Sequence, residues 1–103
     1  MDLKTKLANM TLDTPLLPAS GPFVGTAEKI IALSKYNLGA VVTKTISANV
    51  PTIPRPFMRG EGNYIMNCEP WSEYSVDVWK SEFLPQVKKE VKQPLLVSLG
   101  YSD

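Results

Sequence analysis

Apolar and polar positions fall into short blocks divided by turn residues, and their spacing alternates between a strand-like period and a helical one. Leu3–Leu7 and Met10–Leu12 flank Ala8-Asn9 and predict a small hairpin, with Asn9 suited to the positive φ of its turn. Thr14-Pro15 breaks the pattern, and Leu16-Leu17-Pro18-Ala19 predicts a short buried strand. Pro18 places it at a sheet edge or a strand end, because proline donates nothing to a ladder. The run Ala19-Ser20-Gly21-Pro22-Phe23-Val24-Gly25 is small enough for the backbone to lie against a flat ligand, and it reads equally as a plain turn. Thr26 then caps a helix over Ala27–Tyr36 with an apolar stripe of Ile30, Ile31 and Leu33. Asn37-Leu38-Gly39 ends it, with Gly39 placed for a left-handed C-terminal conformation.

The next stretch, Gly39 to Ser47, organises the rest. Its β-branched run predicts a strand with Val42 and Lys44 on one face and Val41 and Thr43 on the other. Apolar residues on both faces are the mark of a strand in a parallel sheet. Lys44 falls at the carboxyl end, where open parallel sheets and α/β barrels gather ligands. An ammonium there can stabilise negative charge developing on a ligand. The alternative is a lysine whose stem packs while its charge reaches water.

Ser47–Gly62 carries Pro51, Pro54, Pro56 and two arginines, and predicts a long loop without regular structure, fit for function or partner contact. Asn63–Asn67 is a short strand or an extended rim segment, and Cys68-Glu69-Pro70-Trp71 turns sharply. Ser72 is the expected cap of a helix over Glu73–Trp79. Pro85 either kinks that helix or opens a second one over Gln86–Val91. Trp79, Phe83, Leu84 and Val87 form the expected packed face. Leu95–Leu99 predicts a further buried strand, and Ser102 the cap of a following helix. The succession is that of α/β architecture, and it stops at a strand's carboxyl edge as a truncated βα repeat would.

Composition narrows the chemistry. With 103 residues the chain makes at most one small domain. A net charge of +1 favours neither nucleic acid nor an anionic membrane, and no apolar run is long enough to span a bilayer. A single cysteine, Cys68, read as a small buried thiol, fits a reducing, cytoplasmic setting. The absence of histidine removes imidazole-based triads and zincin motifs from what this chain can build.

Leu16–Gly21, Gly39–Thr45, Pro54-Arg55-Pro56 and Ile65-Met66-Asn67, in that order, resemble the opening of the class 1 dihydroorotate dehydrogenases. They are also similar to the pyrimidine-reducing domain of dihydropyrimidine dehydrogenase. Both are FMN-dependent (β/α)₈ TIM barrels, a fold that typically needs about 250 residues. The resemblance implies the N-terminal portion of such a barrel behind a leading β-hairpin, covering residues 1–103. It implies FMN contacts at Ala19, Ser20, Gly21, Lys44 and Thr45, and pyrimidine contacts at Lys44, Asn67 and Glu69. Asn67-Cys68-Glu69 departs from the usual dihydroorotate pattern towards that of dihydropyrimidine dehydrogenase. Glu69 would accept N–H bonds from a neutral pyrimidine and repel a carboxylate. Its other reading is a first-turn acid supporting the helix that follows. The catalytic acid/base lies outside this chain in the resemblance. The expected partners are a small-molecule pyrimidine and a second copy in a homo-oligomer. A docking module built on the loop 51–59 is the alternative reading.

Overall fold

The computed structural model describes residues 1–101; the expected cap Ser102 lies outside the described residues. Three two-stranded sheets and two helical regions make up the architecture. β1 (Thr5–Leu7) and β2 (Met10–Leu12) form the expected antiparallel hairpin, with Lys6 opposite Thr11. The positive φ of its turn, 51°, falls on Ala8 and not on Asn9. A two-residue turn of the II′ kind needs its positive φ at the first central position.

Leu16–Ala19 forms no ladder, contrary to expectation. The Gly39 N–H donates to the Leu16 carbonyl at 2.9 Å, and Leu16 and Ala19 are exposed. A short 3₁₀ turn at Pro22–Val24 leads into α1 (Ala27–Leu33). Thr26 caps α1 as predicted, its Oγ1 accepting the Lys29 N–H at 3.3 Å. The helix ends at Leu33, earlier than Tyr36, because the Tyr36 N–H bonds the Leu33 carbonyl in a tightened last turn. Gly39 is not left-handed. It is buried where the chain crosses the hairpin, and a Cβ there would overlap the Thr14 carbonyl oxygen.

β3 (Val41–Val42) pairs in parallel with β6 (Leu95–Leu96), and Ile46 bridges Leu99 further along. The pairing skips between these contacts. The Thr43 N–H reaches the Leu96 carbonyl at 3.0 Å and the Ile46 N–H reaches the Ser98 carbonyl at 2.8 Å, so three steps on one strand face two on the other. That is a bulge of a single residue. The Ser98 N–H turns instead to the Thr43 hydroxyl at 3.0 Å. Val41 and Ile46, which strict alternation would send to opposite faces, consequently share one core.

The segment expected to be an unbroken loop contains a strand. β4 (Met58–Glu61) starts just past the last proline and pairs with β5 (Tyr64–Asn67) across Gly62-Asn63. Gly62 takes a φ of 62° there. All residues of both strands are exposed.

Helix α2 (Val76–Val78) is capped by Ser75, whose Oγ accepts the Val78 N–H, and not by Ser72. It runs through a π-turn at Trp79–Phe83 into α3 (Leu84–Glu90). The wide turn precedes Pro85, which has no N–H for a regular helical bond, so α3 opens with proline in its first turn. Ser72 has a different task. Fully buried, its hydroxyl accepts the indole N–H of Trp79 at 2.9 Å and the Tyr74 N–H at 3.1 Å.

The core lies between α1, β3 and the 76–90 helical region and is built on Val24, Ala27, Ile30, Val41, Ile46, Trp79 and Val87. Phe83 meets Trp79 edge-to-face at 5.1 Å and Tyr74 at 5.0 Å, each contact worth about 1 kcal/mol beyond area burial. The strand over Leu95–Leu99 is less buried than expected: Val97 and Leu99 are exposed, because only β3 pairs with it among the described residues.

Candidate functional site

Lys44 leaves the strand where the ladder skips. Its N–H donates to the Val24 carbonyl at 3.0 Å, tying the strand end to the 3₁₀ turn that follows Gly21. Its side chain is only 8% exposed, and Nζ lies 2.9 Å from Glu69 Oε1, on a side chain 19% exposed. The lysine stem packs, and the ammonium meets a carboxylate. A charge held this far from solvent needs such a partner.

Glu69 is positioned locally by Asn67. The Asn67 Oδ1 accepts the Glu69 N–H at 2.9 Å, a side-chain turn that bends the chain just after β5. Buried Pro70 follows. Because α2 begins only at Val76, Glu69 stands outside its first turn, where Asp77 is the acidic residue. The helix-supporting reading of Glu69 is therefore corrected. Cys68 is exposed, not buried, with its thiol against the Phe57 carbonyl at 3.2 Å.

A cavity of about 460 Å³ opens beside the Lys44–Glu69 pair, between α1 and the 69–74 segment. Its wall carries the cations Lys29, Lys44 and Arg55 and the carboxylates Glu28, Glu69 and Glu73. Arg55 and Glu73 form a second ion pair at its mouth. With opposite charges in equal number, the wall carries no formal net charge. A second cavity, about 380 Å³, lies against Glu69, Trp71 and Ser47.

The structure brings together Lys44 and Glu69 out of the residues expected at the site. Ala19, Ser20, Gly21, Thr45 and Asn67 do not line the charged cavity. The Thr45 hydroxyl shares a hydrogen bond with that of Ser98 at 2.9 Å. A Cβ on Gly21 would meet nothing within 4 Å, whereas one on Gly100 would overlap the Trp71 indole and lie 2.9 Å from Thr45 Cγ2. Trp71 thus lies across the strand ends. Sequence reasoning gave no role at the site to Arg55, Glu73 or Trp71. Nothing in the local sequence joins Arg55 to Glu73, while a glycine directly after a strand, as at Gly100, signals a close approach.

Among the described residues no helix is long and apolar enough to cross a membrane, and no group of three His, Cys, Asp or Glu side chains is placed to hold a metal ion.

No family model matches the chain. Over 93 residues it is 34% identical to the catalytic subunit of dihydroorotate dehydrogenase B (NAD(+)) of Carboxydothermus hydrogenoformans, an alignment taking in 85% of this chain and 29% of that protein. The chain spans less than a third of the length of the curated relative it matches. Of the two families that the sequence resembles, this similarity is to the dihydroorotate dehydrogenases.

Proposed function

We propose that this chain supplies the first βα units of an FMN-dependent (β/α)₈ barrel that passes a hydride between a dihydropyrimidine and flavin. The observation that carries the reading is the buried cation at a parallel strand's carboxyl end, Lys44, held at 2.9 Å by Glu69 in a chain similar to an oxidoreductase catalytic subunit. The residues present fit part of the cofactor. The backbone at Gly21 is open, with room where a Cβ would stand, and Lys44 and Thr45 offer donors near the strand end. The charge-balanced cavity wall offers no net positive site for the phosphate.

When bound, FMN supplies the two-electron carrier. Lys44 would help to hold that group, its ammonium offering positive charge to the ring. Asn67 presents a donor and an acceptor in one plane, the match for an imide edge. Glu69 accepts a pyrimidine N–H and keeps the Lys44 charge partly neutralised, which favours an uncharged pyrimidine over orotate. The proton at the neighbouring carbon is moved by a group outside this chain.

The test is anaerobic mixing of the protein that carries this segment with dihydroorotate or dihydrouracil, followed by flavin absorbance. Bleaching by either substrate supports the reading. A protein without flavin absorbance, or one that neither substrate reduces, overturns it. The second reading, a module that docks a partner through Pro51–Arg59, is favoured by the exposure of that segment apart from Ile53 and Phe57. Loss of a captured partner on deleting the loop, with flavin content unchanged, is its signature.

A further inference from the structure

Thr43 is a polar residue where an apolar one would pack as well. It follows Val41 and Val42 in a β-branched run and is fully buried, so a valine there would fill nearly the same space with no hydroxyl to satisfy. The use of the hydroxyl is visible where β3 and β6 fall out of step. Thr43 Oγ1 accepts the Ser98 N–H at 3.0 Å, so a side chain stands in for a backbone acceptor between the strands. Two residues on, the Gly100 N–H is back on a carbonyl, that of Ile46 at 2.9 Å.

Each polar group of Ser98 is thereby taken up by the segment 43–46. Its N–H goes to Thr43, its carbonyl accepts the Ile46 N–H at 2.8 Å, and its hydroxyl shares a hydrogen bond with that of Thr45 at 2.9 Å. The two hydroxyls carry two protons and spend one between them, so one O–H remains for a third group. Thr45 and Ser98 are half-buried at the strand ends, whereas Thr43 is closed off and touches no ligand itself.

We propose that Thr43 is a positioning residue. By holding the Ser98 amide it fixes the Ser98 hydroxyl, which in turn directs the Thr45 O–H towards a carbonyl oxygen of the bound flavin ring. The proposal rests on the flavin reading given above and adds to it a buried residue that acts through two others. Lys44, between Thr43 and Thr45, supplies charge to the same ligand; the hydroxyl relay supplies direction, which an ammonium on a flexible stem does not.

The test uses the protein that carries this segment, stripped of flavin and titrated with FMN by fluorescence, with thermal melts of each apoprotein alongside. Thr43→Val is expected to weaken FMN binding roughly tenfold, and Thr43→Ser to keep the wild-type affinity. Thr43→Ser also gives up a buried methyl group and melts lower, so affinity and stability part company in that variant. In a Thr45→Val background the Thr43→Val change is expected to have no further effect on FMN, because the donor it directs is already gone. Should Thr43→Val not fold, Ser98→Ala takes its place in the cycle, since it keeps the amide on Thr43 and removes only the relaying hydroxyl. Wild-type affinity in Thr43→Val or in Thr45→Val overturns the proposal and leaves the flavin reading standing. So do additive losses in the cycle, or an affinity for Thr43→Ser that falls with its melting temperature. A wild-type protein that takes up no FMN overturns the flavin reading and this proposal together.

Discussion

The ammonium of Lys44 and the carboxylate of Glu69 stand 2.9 Å apart, one at a strand end and the other just past a hairpin, both largely withdrawn from water. Removing one partner leaves the other charged and poorly solvated. Lys44→Met or Glu69→Leu alone is expected to destabilise the fold by about 2–4 kcal/mol, and the double variant to recover most of that loss. Urea midpoints for the four proteins check it; two additive losses would mean that the pair is not coupled.

If Glu69 also discriminates among substrates, Glu69→Gln in the protein carrying this segment should move kcat/KM towards dihydroorotate. The gain relative to dihydrouracil is on the order of tenfold, since a like charge facing the orotate carboxylate is removed. An unchanged ratio would confine Glu69 to holding Lys44.

Among the described residues, the cavity wall beside Lys44 is charge-balanced and offers no cation-rich site for a phosphate. FMN added to the 103-residue polypeptide is expected to bind weakly or not at all, by fluorescence titration. Tight one-to-one binding would contradict this and place the full cofactor cradle within these residues.

Ser72 and Trp79 offer a test of the core that involves no ligand. Ser72→Ala strands a buried indole N–H and should cost about 1–3 kcal/mol. In a Trp79→Phe background, which has no such donor, the same change should cost less. Thermal melts over the double-mutant cycle yield the coupling.

Two glycines predict opposite outcomes. Gly39→Ala drives a methyl group into the Thr14 carbonyl and should destabilise by about 1–3 kcal/mol, or prevent folding. Gly21→Ala meets nothing within 4 Å and should leave the urea midpoint almost unchanged. A reduced flavin content in the same Gly21→Ala variant of the FMN-bearing protein would mark that backbone as a cofactor contact.

What could be read in the sequence was whatever is set by nearest neighbours. Thr26 caps its helix because only local backbone N–H groups are involved, and Val41–Val42 form a strand that pairs in parallel with Leu95–Leu96. Trp79 and Val87 lie fully buried on the expected face. Ser72 departs from its expected capping role because its partner is an indole seven residues on, a contact no capping pattern encodes. β4 was obscured by the prolines before it, although Gly62-Asn63 between two extended runs was a hairpin signal. The Lys44–Glu69 pairing depends on how two distant segments converge, so residue types suggested the participants without their geometry.

The irregularity between Thr43 and Ile46 shows what the extra residue is for. A chain shorter by Thr45 would bring the Ile46 amide opposite Ser98 in unbroken succession and leave both Val41 and Ile46 facing inward, so the apolar interior has no use for the insertion. What the detour changes is the Ser98 amide, which in a regular ladder meets the Thr43 carbonyl and here is held by the Thr43 hydroxyl; the Lys44 amide points away from β6 in either case and reaches Val24. Straightened, the two strands would be joined at Ser98 by backbone groups alone, and the Thr43 side chain would lose its part in the ladder.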